Sequence, residues 1–420
     1  MTRRPFRATV QEEDGVNELV RLGRRLWSRA EPGFHEHRTH GILYERFEKL
    51  GFVVHEFAGI PGFAAAVDGS PTAKRMALIA DMDGLPVGEG GRYGHFCGHH
   101  VQLTALYGTA LTLHEASSPA LADLCFAAIP AEEYVDLDKR EALRAAGTVQ
   151  AFSGKQELLR RGFFSGFEAV VATHSAALDQ RHEGAEDALR DGSKATRRAV
   201  NSVLEMNGFD VLRFRFRGTS AHAGSQPHLG RSAQNAAALF LQACAFLREH
   251  FREDRHIRIH PVMRLRPGQA INFVPDWASV ETYVRAVDSE TIDDTVDRLQ
   301  RAAAGCARAL GVALEQERLP GYAPFRAAPE LHRLVAATAR ELDVDFVEEA
   351  FSAASSDVGD VSQVKPCVMV GLPGSNGRFH SPEFRIEDEE AAYVFPARFL
   401  SRFLERALRE FPGEPGSSAG

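Results

Sequence analysis

Long apolar runs are missing from this chain, and none of its stretches approaches the ~20 consecutive apolar residues that span a bilayer. The N-terminus, Met1 to Arg7, leads into charged residues rather than into the apolar core of a secretory signal. Both absences point to a cytoplasmic protein without a membrane partner. Positive charge is not in excess either. With 49 Lys and Arg against 57 Asp and Glu the net charge is -8, so no global basic field draws nucleic acid phosphates. Cysteine is scarce: five residues, an odd number with no short-range pairing pattern, argue against a disulfide framework. Cys125, Cys244, Cys306 and Cys367 lie in apolar or helical contexts and read as small buried hydrophobes, whereas Cys97 stands apart. No internal repeat is visible.

What is present is the composition of an ordinary globular protein, 44% hydrophobic and 25% charged over 420 residues. That length exceeds the size at which one core usually stops growing, so two domains are expected. The pattern reads as helical over 16–50 and β-rich over 52–68. A buried strand follows at 77–80, an amphipathic helix from His99 through Leu113, and strands at 124–129 and 169–173. Residues 179–198 turn polar and charged and read as a surface loop and hinge. Beyond it come a strand at 209–216, a helix at 232–251, strands at 257–265 and 277–287, a helix at 289–310 and a strand at 312–317. This β-α-β-β-α-β order is that of a ferredoxin-like unit. The chain then returns through a helix at 331–342, a strand at 367–371 and a helix at 388–410, before a Gly/Ser/Pro-rich tail at 413–420 that reads as disordered. The predicted fold is therefore α/β, with a mixed, mostly parallel sheet in a domain of residues 1–204 and 321–420. An α+β lid or dimerisation domain is inserted at 205–320.

Four separated apolar runs each lead to residues able to bind metal or move a proton. The run around Ile79 leads through Asp81 and Asp83 to His95, Cys97, His99 and His100; that ending at Pro130 leads to Glu132 and Glu133; the others reach His174 and His380. In an open parallel sheet such residues converge beyond the carboxyl ends of the strands. A thiol and an imidazole two residues apart, at the start of a helix whose dipole favours thiolate, suit zinc, or manganese where carboxylate and water complete the shell. Of two adjacent glutamates, one can bind metal while the other stays free to move a proton. Cys97, His99, Glu133, His174 and His380 supply five ligands, enough for two divalent ions sharing the thiolate.

Asp81-Met-Asp83, His95-Phe-Cys97-Gly-His99, Pro130-Ala-Glu132-Glu133, Thr219-Ser-Ala-His222-Ala and His380-Ser-Pro occur in the order found in the M20 metallopeptidases. The sequence resembles the amidohydrolase and aminoacylase branch of that family. Gly98-His99-His100-Val-Gln102, and the segment from Ala131 through Glu157, are similar to its aminobenzoyl-glutamate hydrolase-like subgroup. The resemblance implies Cys97, His99, Glu133, His174 and His380 as ligands of one or two divalent ions, manganese or zinc. It implies Glu132 as the general base that takes the proton of the attacking water and returns it to the leaving nitrogen. Asp83 resembles the carboxylate that orients a ligand histidine. His222, in the inserted domain, resembles a residue that reaches into the neighbouring subunit's site, which implies a homodimer or a higher homo-oligomer.

Two positions depart from the family pattern. Phe96 stands where alanine is common, and Arg378-Phe379 precedes His380 where smaller residues are frequent. Facing a pocket, the rings favour a flat aromatic substrate; facing inward, they are core. Arg378, Arg285 and Asn272 are candidates to bind a substrate carboxylate. The expected activity is hydrolysis of a C–N bond in a small carboxylate-bearing molecule. The alternatives are hydrolytic deamination of an aromatic amine such as 5-nitroanthranilate, giving 5-nitrosalicylate and ammonia, and a metal-free ligand-binding or assembly module.

Overall fold

The computed structural model describes residues 13–88, 91–177, 199–268 and 270–412. The loop read at 179–198 and the tail read at 413–420 lie outside them. The chain divides into two compact units. One holds the described residues up to Leu204, Arg326–Phe351 and those from Asp360 onward; the other holds Glu205–Phe325 and Ser352–Gly359.

The first unit is built on a ten-stranded mixed sheet. At its centre Leu124–Ile129, Met76–Asp81, Ala169–Ala177 and Cys367–Asn376 lie side by side in that order and run parallel. Phe63–Ala66 joins the Leu124–Ile129 side antiparallel and Val53–Glu56 pairs with it, while Val200–Met206 pairs antiparallel with Cys367–Asn376. Every residue of Met76–Asp81 and Leu124–Ile129 is buried, as expected of strands covered on both faces. The helical stretch read over 16–50 is two helices, Glu13–Trp27 and His37–Lys49. At the start of the second, the Glu31 carboxylate accepts the N–H groups of Arg38 (3.1 Å) and Thr39 (2.9 Å), leaving Glu36 in the turn.

The helix His99–Glu115 corrects the sequence reading. It was expected to be amphipathic, yet every residue from His99 to Leu111 is buried. Its surroundings include the strand Met76–Asp81 and the helices Glu13–Trp27 and Phe395–Glu410, so its first three turns have no wet face.

The second unit carries an antiparallel sheet in which Gly208–Arg217 is flanked by Trp277–Ala286 and Ala313–Tyr322. The single strand read at 257–265 is two short ones, Arg258–Ile259 and Val262–Leu265, both paired with Trp277–Ala286. Helices Ala233–Leu247 and Ser289–Ala309 are N-capped by Ser232 and Asp288. They bury Phe240 and Leu299 against Leu212, Phe214, Phe216 and Val280. The last strand pairs with Phe209–Arg217, which carries the unit past residue 320. A hydrogen bond from the Asn207 N–H to the Ser352 carbonyl (3.2 Å) brings in Ser352–Gly359. No helix among the described residues is long and apolar enough to cross a membrane.

Candidate metal centre

The parallel strands of the first unit deliver reactive side chains to one edge. Met76–Asp81 ends on an acid and turns through Asp83; Leu124–Ile129 leads to Glu132 and Glu133; His174 lies on Ala169–Ala177; His380 follows Cys367–Asn376. This is the crevice beyond the carboxyl ends of adjacent parallel strands. Between Cys97 and His99, Gly98 adopts φ 81° and sits so close to the next strand that an added Cβ would lie 2.0 Å from Ser175 Oγ. Only glycine meets both conditions. Through it the thiol and the imidazole flank the first turn of the helix.

One ligand atom from each of the buried residues Cys97, His99 and Glu133 lies within 4.8 Å of the other two. The remaining expected ligands join at the margins. His174 Nε2 is 3.4 Å from Cys97 Sγ, and His380 Nε2 is 3.6 Å from Glu133 Oε1. Glu132 Oε2 approaches His99 Nε2 at 3.8 Å. Each inner histidine is oriented from behind. His99 Nδ1 donates to the Asp83 carbonyl at 2.8 Å, with Asp83 Oδ1 at 3.2 Å, and His174 Nδ1 donates to the Ser175 carbonyl at 2.8 Å. Both bonds leave the Nε2 lone pair facing the cluster. The Asp83 carboxylate also accepts the N–H groups of Glu132 (3.1 Å) and Glu133 (3.0 Å). Burial pushes its pKa up, but the His99 hydrogen bond and charge, with Arg140, hold it below the ordinary carboxylate value.

The cluster favours positive charge. Burial and the Glu133 charge push the Cys97 thiol well up, and burial with the neighbouring Glu132 raises Glu133 to about 8. Burial works against charge on His99, yet Asp83 and Cys97 hold its pKa well above the ordinary value. His99 Nε2 and Glu133 Oε1 are buried with no hydrogen-bond partner, and buried polar atoms in folded proteins are almost always partnered. Sulfur, nitrogen and oxygen donors converging with unmet valence fit a divalent cation.

Not every residue of the sequence cluster points into the centre. His95 and His100 are buried with both ring nitrogens unpartnered and pack on each other at 5.6 Å between centroids. Trp27 at 4.8 Å and Tyr393 at 5.8 Å cover His100. Burial first, then the neighbouring histidines, lowers His95 to about 3 and His100 well below its ordinary value. Burial therefore disfavours the charged form of both rings. Three contributors escaped the sequence reading. Lys155, 1% exposed, pairs with Asp81, whose N–H donates to Gln102 Oε1 at 3.1 Å. Arg140 and Glu36 lie behind the Glu132–Glu133 turn. Arg140 and Lys155 fall in the segment from Ala131 through Glu157 that carries the subgroup resemblance, but nothing in the sequence assigned them a role, since buried ions read like surface charges.

Among the expected substrate contacts in this unit, Phe96 is half-buried and packs edge-on to Trp27 at 5.8 Å, while its carbonyl accepts the His380 N–H at 3.0 Å. Phe379 stacks on buried Phe384 at 5.4 Å and meets the His174 ring edge-on at 5.4 Å. The Arg378 guanidinium forms a bidentate pair with Glu383, at 2.8 and 2.6 Å.

In the second unit His222 is exposed, and its Nδ1 accepts the N–H groups of Gly224 (3.1 Å) and Ser225 (3.0 Å). The proton of the neutral ring is therefore on Nε2. Asn272 shares the same double loop, its carbonyl accepting the Ala223 N–H at 2.8 Å. Arg285 is elsewhere: it bonds Ser355 Oγ at 2.7 Å and lies over the Phe209 and Tyr283 rings at 5.0 and 5.2 Å. Asn272 precedes Trp277–Ala286 and Arg285 is its last residue but one, so eight strand steps, about 26 Å at ~3.3 Å per residue, lie between Trp277 and Arg285. A small substrate meets at most one of the two from a given subunit.

The model of the M20/M25/M40 peptidase family matches residues 77–406. The chain belongs to this family. It is 27% identical over 306 residues to a subunit of the p-aminobenzoyl-glutamate hydrolase of Escherichia coli K12, covering 67% of this chain and 54%, about half, of that protein. It is 22% identical over 404 residues to hippurate hydrolase of Campylobacter jejuni, covering 93% and 94%. Among solved structures, a dinuclear metal-binding M20 peptidase of Bacillus subtilis matches with a TM-score of 0.69 at 18% identity, over 95% of this chain and 100% of that one. The aminobenzoyl-glutamate utilization protein of Klebsiella pneumoniae matches with a TM-score of 0.65 at 17% identity, over 97% and 100%. At these identities the structures establish the fold. This M20 member is a metal-dependent hydrolase acting on carbon–nitrogen bonds, which sets aside the metal-free module. The aryl-amine alternative gains no support from these matches.

Proposed function

We propose that the chain hydrolyses the amide bond of a small N-acyl amino acid whose acyl group is aromatic. The observation that carries the amide hydrolase reading is the buried cluster of Cys97, His99 and Glu133, with the Glu132 carboxylate 3.8 Å from the His99 imidazole. The substrate class is supported by two relatives whose names describe an aromatic acid joined to an amino acid, hippurate and p-aminobenzoyl-glutamate. Phe379, braced by Phe384, offers such an acyl group a flat wall beside His174.

Cys97, His99, Glu133, His174 and His380 would hold one or two divalent ions, zinc or manganese. When bound, such ions lower the pKa of water toward neutrality and polarise the scissile carbonyl. Glu132 takes the proton from water and passes it to the leaving nitrogen; its backbone is fixed by Asp83, so its carboxylate needs little reorganisation. With its Nδ1 engaged by Gly224 and Ser225, His222 would offer its Nε2–H to a developing oxyanion. In keeping with the family resemblance it serves the site of a neighbouring subunit, so the active form is a homodimer or a larger homo-oligomer. Asn272, on the same double loop, is the candidate for the substrate carboxylate. Phe96 and Arg378 remain lining candidates, the latter with Glu383 as a competitor for its charge, and Arg285 is the alternative to Asn272. Five free buried cysteines accord with a reducing, cytoplasmic setting.

The test is to incubate zinc- or manganese-loaded protein with hippurate and with p-aminobenzoyl-glutamate and to separate the products by chromatography. Benzoate with glycine, or p-aminobenzoate with glutamate, is expected. Glu132→Gln should keep its metal while turnover falls ~10²- to 10⁴-fold. Inertness toward both amides overturns the substrate class, and full activity in Glu132→Gln overturns the general base.

A further inference from the structure

We infer that Arg140 and Glu36 are positioning residues that hold the turn Ala131 to Glu133, and through it the Glu132 and Glu133 carboxylates, in the geometry the metal centre needs. The inference rests on reading Glu132 as base and Glu133 as ligand.

The turn is a poor resting conformation for its sequence. Ala131 has φ 59°, in the left-handed region that side chains rarely occupy, and such backbone persists only where its surroundings over-determine it. Here they do. Three consecutive N–H groups end on buried carboxylates: Ala131 on Glu36 Oε1 at 2.8 Å, Glu132 and Glu133 on Asp83 at 3.1 and 3.0 Å. A single guanidinium gathers the carbonyls. Arg140 donates through Nη1 to Ala131 (3.3 Å) and Phe152, and through Nη2 to Glu133.

Burying ions is costly unless they are paired; Arg140 faces Asp83, while burial and the Asp83 charge raise the Glu36 carboxyl well above its ordinary pKa. Arg140 is 2% exposed, and Glu36 and Asp83 are fully buried. Arg140 Nη2 also lies 3.9 Å from Asp83 Oδ2, and its guanidinium is 5.7 Å from the Phe34 ring. Gly33 makes the room, because a Cβ there would stand 2.7 Å from Arg140 Nη2 and 3.0 Å from Ala131 Cα. Glu36 comes from the turn before His37–Lys49 and Arg140 from Leu137–Ala145, so two elements outside the strand ends grip one turn. A planar fork spanning several carbonyls is a task for arginine that lysine does not match.

The experiment measures zinc affinity by competition with a chromophoric chelator, and turnover of an amide the protein hydrolyses, in Arg140→Ala, Arg140→Lys, Glu36→Met and Glu36→Gln. Positioning groups behind metal ligands are worth about 10- to 100-fold in affinity, and misplacing a reacting group by ~1 Å costs about 10²-fold in rate. We expect Arg140→Ala and Arg140→Lys to lose affinity by about that factor and kcat more than KM, with guanidinium ion at non-denaturing concentration restoring part of both in Arg140→Ala. Glu36→Gln keeps the acceptor for the Ala131 N–H and should behave as wild type; Glu36→Met should not. Glu133→Ala is the control for the underlying reading. Wild-type zinc affinity in Glu133→Ala overturns that reading. Loss there, combined with wild-type affinity and turnover in the Arg140 and Glu36→Met variants, overturns the positioning role alone. If the Arg140 variants do not fold, the contrast between Glu36→Met and Glu36→Gln decides.

Discussion

Replacing Gly98 by alanine should damage stability and metal binding together, and its cost can be assembled from the structure. The residue sits at φ 81°, where an L side chain costs ~1–2 kcal/mol. Its new Cβ would lie 2.0 Å from Ser175 Oγ and 2.5 Å from Ser175 Cβ, with Phe384 Cζ at 3.2 Å. Ser175 is 3% exposed, on a strand between two partners, so the overlap is relieved only by shifting backbone, typically ~1–3 kcal/mol. The expected loss is ~2–5 kcal/mol in urea unfolding. Because Cys97 and His99 are the neighbours that must move, zinc affinity should fall by about 10- to 100-fold. Ser175→Gly removes both close atoms but leaves φ unchanged. Added to Gly98→Ala, it should recover the overlap contribution and not the conformational one. Equilibrium unfolding and chelator competition on the four proteins of this cycle decide the matter. Gly98→Ala within ~0.5 kcal/mol of wild type with unaltered affinity refutes the reasoning, and a double variant no better than the single one refutes the assignment to Ser175.

Lys155→Met leaves Asp81 buried without its cation and should lower stability by ~3–5 kcal/mol, much of it regained on adding Asp81→Asn; a thermal shift equivalent to less than ~1 kcal/mol contradicts the pairing. Glu157 is held below its ordinary pKa, since the N–H groups of Gln150 (2.7 Å) and Ala151 (3.0 Å) and the Arg161 guanidinium (2.8 Å) outweigh its burial. Its stabilisation is then full above the unfolded value of ~4.3 and disappears as pH falls through the lower folded value. The stability gap between wild type and Glu157→Gln should narrow from about pH 5 downward, and a constant gap contradicts the assignment. His222→Ala and Glu132→Gln should each be inactive alone, yet regain activity when their subunits are mixed and allowed to exchange. A mixed dimer then has one site with both groups intact, and no regain sinks the placement of His222 in its neighbour's site.

The strands that carry the centre were legible because they are covered on both faces. Such strands appear as unbroken apolar runs, and the residues just past their carboxyl ends are where a parallel sheet gathers chemistry. The helix at His99 misled for the converse reason. Its spacing is compatible with a wet face, but Phe395–Glu410, nearly three hundred residues later in the chain, lies against it. Asn272 and Arg285 both looked suited to a carboxylate, yet the strand read at 277–287, observed as Trp277–Ala286, already placed them before it and near its far end. The roles of Glu36, Arg140 and Lys155 were invisible in kind, although the last two lie in the segment that carries the subgroup resemblance. In sequence, an arginine on a short helix is a solvated charge by default, and nothing local reveals that three carbonyls converge on it.

That asymmetry bears on what the family motifs can establish. The proposed ligands Cys97, His99, Glu133, His174 and His380 fix which atoms are available, while the motif carboxylates behind them are themselves paired with cations outside those five short motifs. Asp83 holds His99 and two peptide N–H groups, yet it is itself a buried carboxylate whose charge is matched from behind by Arg140. Asp81 is in the same position with Lys155. A relative that kept every motif residue but replaced Arg140 and Lys155 with apolar side chains would leave two carboxylates buried without cations, a loss of several kcal/mol at the point where the ligands must be rigid. Retained motifs therefore establish the chemistry that is possible, and the two buried cations behind them are what make it available to this chain.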